Sequence, residues 1–106
     1  MGEKLTFRAT TSSGVVHDFE FPLHPDTASS AQVGELLTAL VDTVDRFVAQ
    51  GAPVGNGDVL QALAMALAVR TRLLGPDSAA VAALAMELTE QALTTPCRTI
   101  RRGRAH

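Results

Sequence analysis

One cysteine, three histidines and a cluster of four arginines are the residues of this chain whose types could carry chemistry. His17 lies in an alternating stretch, Val15 to Phe21, on the face it shares with Val15, Phe19 and Phe21. An imidazole there reads as a candidate pocket residue, a base or a ligand. No second catalytic group is placed beside it by spacing, so it also reads as a hairpin residue with one packed ring face. His24 and Asp26 flank a proline in a connector, and two ligands do not make a metal centre. His106 is the last residue of the sequence.

Cys97 is the sole cysteine, which excludes an intramolecular disulfide and a thiolate metal cluster within one chain. As a redox or nucleophilic thiol it has a cation, Arg98, beside it. It sits in a stretch without sustained period, where the plainer reading is an incidental thiol.

Glu35, Asp42 and Asp45 are carboxylates of the kind used in pairs for acid–base work. Their spacing puts them on the polar side of an amphipathic helix, where they are solvated charges. Gly51 to Gly57 is glycine-rich and precedes a helix, so its amides face the right way for an anion. It lacks the Lys-Ser/Thr pair and the preceding strand of a phosphate loop, and it reads as an interhelix connector.

The concentrated electrostatic feature is Arg98, Arg101, Arg102 and Arg104. Residues 1–95 carry five basic side chains against eleven acidic ones, a net of −6, while residues 96–106 carry four arginines and no acid. Four arginines neutralise about four phosphates, which gives weak, salt-sensitive nucleic-acid binding. There is no aromatic residue among them for base stacking. The alternatives are a solubilising tail, one folded back on the acidic body, or a short peptide recognised by another protein.

The elements that must position these residues follow from period. Lys4 to Thr10 alternate, with Leu5, Phe7 and Ala9 on one face. Pairing Thr11 with Val15 leaves a three-residue loop ending in Gly14, which supplies a positive φ at little cost. That register sets Phe7 opposite Phe19, Leu5 opposite Phe21, Ala9 opposite His17, Arg8 opposite Asp18 and Thr6 opposite Glu20. A one-residue slip brings Leu5 against Glu20 and loses every match. Pro22 and Pro25 end the second strand and begin a connector.

The spacing then predicts a helix from Ser30 to Gln50, capped by Ser29 and stopped by Gly51 and Pro53. Its stripe is Val33, Leu36, Leu37, Leu40, Val41, Val44, Phe47 and Val48. At 1.5 Å per residue it is about 30 Å long. A second helix is predicted over 58–74, capped near Asn56 or Gly57. It is apolar nearly all round from Val59 to Val69, and its alanines permit close approach. A third is predicted over 77–94, with Asp77 at or near its cap, Gly75-Pro76 before it and Pro96 after it.

The resulting expectation is an α+β fold in the order ββααα, an N-terminal β-hairpin with an antiparallel helical bundle packed on it. One domain is expected over residues 1–96, and a flexible basic tail over 97–106. The longest apolar stretch, Val59 to Val69, spans 11 residues with Gln61 inside it, against about 20 for a membrane span. With no basic-then-apolar leader at the start, a cytoplasmic location without a membrane partner is expected.

No acid–base cluster, metal spacing or cofactor fingerprint is legible, so the sequence leans away from an enzyme and implies no cofactor and no metal. Charged residues are 19 % of the chain and mean hydropathy is +0.17. The second helix has more apolar circumference than two neighbours cover, and the hairpin has two strand edges. Both point to a self-associating interaction or adaptor module, a homodimer with an unidentified protein partner. The alternatives are an accessory nucleic-acid-binding protein using the arginines, and a ligand-binding or enzymatic domain with a pocket between the hairpin and the first helix near His17.

Overall fold

The hairpin forms in the register that alternation dictates. In the computed structural model, which describes residues 3–11, 13–51, 53–73 and 78–101, β1 (Lys4–Thr10) pairs antiparallel with β2 (Val15–Pro22). Leu5 stands opposite Phe21, Phe7 opposite Phe19, Ala9 opposite His17, Arg8 opposite Asp18 and Thr6 opposite Glu20. The turn is closed by Thr11 N–H to Val15 O at 2.8 Å and Gly14 N–H to Thr11 O at 3.0 Å. Gly14 has φ 89°, the left-handed conformation that a side chain would strain. Phe19 stacks on Phe21 at 5.2 Å between ring centroids and lies 6.5 Å from Phe7. Such aromatic pairs add about 0.5–1.5 kcal/mol beyond the area they bury.

Three helices follow: α1 (Ser30–Ala49), α2 (Asn56–Arg72) and α3 (Ser78–Leu93). Ser29 caps α1, its hydroxyl accepting the Gln32 amide at 3.2 Å, one of the donors that a helix start leaves without a partner. Gly51, at φ 93°, ends it. The start of α2 lies two residues before the expected Asp58. Gly55 is its cap, and the Asp58 carboxylate reaches back to accept the Gly55 amide at 3.1 Å. The expected helix boundaries at Leu74, Gly75-Pro76 and Asp77 lie outside the described residues.

After the helices the chain returns to the sheet. β3 (Cys97–Arg101) lies antiparallel beside β2 and gives the strand order β1-β2-β3. This corrects the expected flexible tail from Cys97 onward: over Cys97–Arg101 the chain is a strand, held by the edge of β2 that the hairpin leaves bare. Arg98 faces Asp18 in that register and Ile100 faces Val16. Val16 is thereby flanked by Thr10 and Ile100 on a central strand, and at 1 % exposure it is the buried hydrophobic residue of the described chain.

This strand pairing crosses the boundary expected at residue 96. The chain divides instead into a sheet unit, Met1–Gly34 with Leu88–His106, and a helical unit, Glu35–Glu87. In the sheet unit the first turns of α1 approach β1 closely. A Cβ at Gly34 would come within 3.3 Å of Leu5 Cδ1, so glycine there permits the approach. The expected α+β order ββααα is present, and the broad contacts between elements among the described residues are those of β1 with β2 and of β2 with β3. Leu36, Leu40 and Phe47 of α1 and Leu60, Leu63 and Val69 of α2 are exposed, while Leu37, Val41 and Val44 are half-buried. Among the described residues no helix is long and apolar enough to cross a membrane.

Candidate functional site

The sheet has two chemically different faces. On one, His17 lies between Ala9 of β1 and Thr99 of β3. Its Nδ1 is 3.2 Å from Thr99 Oγ1 and 3.8 Å from Cys97 Sγ. The fold thus brings together two residues, His17 and Cys97, that the sequence offers only as separate candidates. The signal that could have joined them is period: Cys97 and Thr99 are two apart in a short β-branched run, and so are His17 and Phe19. The contact falls short of a nucleophilic dyad in one respect. Such a dyad has a third group orienting the base, and among the described residues the partners of His17 are Thr99 and Cys97 alone.

The opposite face is a ladder of charge. Arg8 Nε donates to Asp18 Oδ1 at 2.6 Å, and its Nη2 donates to Oδ2 at 2.9 Å. This is the bidentate fork that makes arginine–carboxylate pairs strong. Its guanidinium holds the Asp18 carboxyl below the usual carboxylate range, with a smaller contribution from Arg98 across the sheet. Lys4 Nζ lies 3.9 Å from Glu20. A shallow groove of ≈ 520 Å³ runs along this face, with Arg8, Asp18, Glu20 and Arg98 among its lining residues.

Of the four arginines of the expected anion-binding cluster, the described residues include two. Arg98 sits in β3 against Asp18, and Arg101 takes the position opposite Val15. Arg102 and Arg104 lie outside the described residues. His17 stands on the sheet, not in the hollow at the start of α1. That hollow, ≈ 600 Å³, is lined by Glu3, Leu23, His24, Thr27 and Ser29 among others. His24 completes a turn there, its Nδ1 accepting the Asp26 amide at 3.1 Å. Among the described residues no three His, Cys, Asp or Glu side chains are grouped to hold a metal ion.

The helical unit offers a surface of another kind. Asp42 and Arg46 pair at 3.0 Å on the polar side of α1. Elsewhere on that helix Leu36 is 62 % exposed and Phe47 56 %; on α2 the figures are 66 % for Leu60 and 58 % for Val69. Scattered exposed leucines are ordinary, but large apolar side chains in rows along two helices are a mark of surfaces that bind. No family model, curated protein or solved structure matches the chain.

Proposed function

We propose that this chain is a small, non-catalytic protein-interaction module that self-associates, with a second copy covering its apolar helix faces. The observation that carries this reading is the exposure of Leu36, Leu40, Phe47, Leu60, Leu63 and Val69 on α1 and α2. Two helices this apolar gain by removing area from water, at about 25 cal/mol per Å². A twofold dimer is the commonest arrangement that covers the same patch on both partners. The other readings have less support. Arg98 stands opposite Asp18 in the sheet register, and the His17–Cys97 contact lacks an orienting partner among the described residues.

The test is sedimentation velocity on the full chain at micromolar concentration. The native protein sediments at the mass of a dimer. Leu36→Glu combined with Phe47→Glu places charge in the contact and weakens it by at least about tenfold, or 1.4 kcal/mol, with the far-ultraviolet circular dichroism retained. A native chain that stays monomeric across the micromolar range overturns the reading.

A further inference from the structure

The hydrogen-bond phase of the hairpin determines what β1 offers to its outer side. Thr11 N–H bonds Val15 O, and Leu23 N–H bonds Glu3 O. Odd-numbered residues of β1 therefore turn their peptide groups toward β2, and Lys4, Thr6, Arg8 and Thr10 turn theirs outward. With β1 at the border of the sheet, those four peptide groups have no strand partner among the described residues. Natural edges are blunted by brevity, proline, bulges or charge. β1 is seven residues long, contains no proline, and alternates regularly. Its two cations are already engaged within the chain, Arg8 with Asp18 and Lys4 with Glu20. The other border strand, β3, is five residues long and carries Arg98 and Arg101.

We infer that β1 is the strand through which two copies of this chain join, antiparallel about a twofold axis at Phe7, so that two three-stranded sheets become one of six strands. The inference rests on the self-association proposed above and adds to its helix contact a second one, along the β1 edge. Charge selects the register. With Phe7 opposite its own copy, Lys4 faces Thr10 and Arg8 faces Thr6, so no like charges are directly opposed. All seven residues pair, and Leu5 meets Ala9 on the apolar face. A shift of two in one direction sets Arg8 against Arg8. A shift in the other sets Lys4 against Arg8. Each shift pairs fewer residues, and like charges directly opposite destabilise a sheet. Pairing β1 with β3 of another copy would oppose strands whose charges are all positive, and such a head-to-tail contact need not close. A twofold axis through an edge-paired sheet is normal to it, so both phenylalanine faces look the same way and form one continuous apolar surface.

Two measurements test this together. In the native protein, amide exchange at Thr6 and Arg8 slows by about tenfold or more between dilute and concentrated samples, because each amide gains a partner in the dimer. In a Cys97→Ser background, Phe7→Cys cross-links to itself on mild oxidation. The directly opposed Cα atoms of such a non-hydrogen-bonded pair lie about 4.5 Å apart, within disulfide range. Leu5→Cys in the same background does not cross-link to itself. A dimer mass with unprotected Thr6 and Arg8 and no cross-link at position 7 overturns the edge contact and leaves self-association standing. A monomeric mass overturns both. Should Phe7→Cys fail to fold, exchange in the native protein decides alone.

Discussion

Phe19 has Phe7 across the strand and Phe21 two residues on, and Asp18 has a guanidinium on each neighbouring strand. Leu60, a third of the way along α2, is two-thirds exposed. The two units of this chain thus meet the same solvent with different resources. Each residue of the central strand has a cross-strand neighbour on both sides over Val16–Phe19, which buries Val16 and pairs Asp18 with Arg8. The helices satisfy their own backbone groups, as helices do, and leave the side chains to find cover elsewhere. Backbone hydrogen bonding and side-chain burial are separate requirements, and among the described residues Val16 of the central strand meets both.

The largest test of this contrast removes β3. A chain ended after Pro96 loses the hydrogen bonds between β2 and β3 and bares Val16. Four such bonds at about 0.5–1 kcal/mol each give a loss of roughly 3 kcal/mol, read from urea unfolding. Amide exchange localises the loss: Val16 and Asp18, whose peptide groups face β3, lose protection, and His17 and Phe19, which face β1, keep it.

Matched truncations sharpen the same contrast. Val16→Ala removes two buried methyl groups and costs about 2 kcal/mol. Leu60→Ala, on an exposed surface, changes unfolding of the dilute protein by less than about 0.5 kcal/mol. Its effect grows with protein concentration as the apolar face is covered. Equal costs at high dilution for the two variants would end the distinction between the units.

The smallest effect is electrostatic. The folded carboxyl of Asp18 is held below its ordinary value of 3.8, so its ion pair contributes fully above that pH. Below it the unfolded chain takes up the proton first, and the contribution is lost as pH falls through the depressed folded value. Asp18→Asn flattens the stability–pH curve in this acid range and leaves its shape above neutrality unchanged. An unaltered acid limb in the variant would show that the Arg8–Asp18 pair is screened out by solvent.

Much of the sheet unit is legible in the residues. The period of two in 4–10 and 15–21, with Gly14 to turn the chain, fixes every β1–β2 partner, and Ser29 and Gly51 bracket α1. The third strand is not legible in the same way. Cys97-Arg98-Thr99-Ile100-Arg101 places a cation and an isoleucine on one face, which hides the alternation. Its partners lie some 80 positions upstream, beyond any local pattern. The traces it leaves are the β-branched pair Thr99-Ile100 and the complementarity of Arg98 with Asp18. The candidate site was legible one residue at a time: His17 and Cys97 each drew notice by type, and only the return of the chain to β2 makes them neighbours. The exposure of α1 and α2 is half visible, since an all-round apolar α2 announces a need for cover without saying which of its residues stay exposed.

The place of β3 after all three helices has a consequence for how the protein is made. A ribosome delivers β1 and β2 first, then everything from Leu23 to Pro96, before the strand that completes the sheet emerges. Through that interval the nascent hairpin shows bare peptide groups along both borders, and Val16 is wet. Closing so long a loop is slow compared with forming the hairpin.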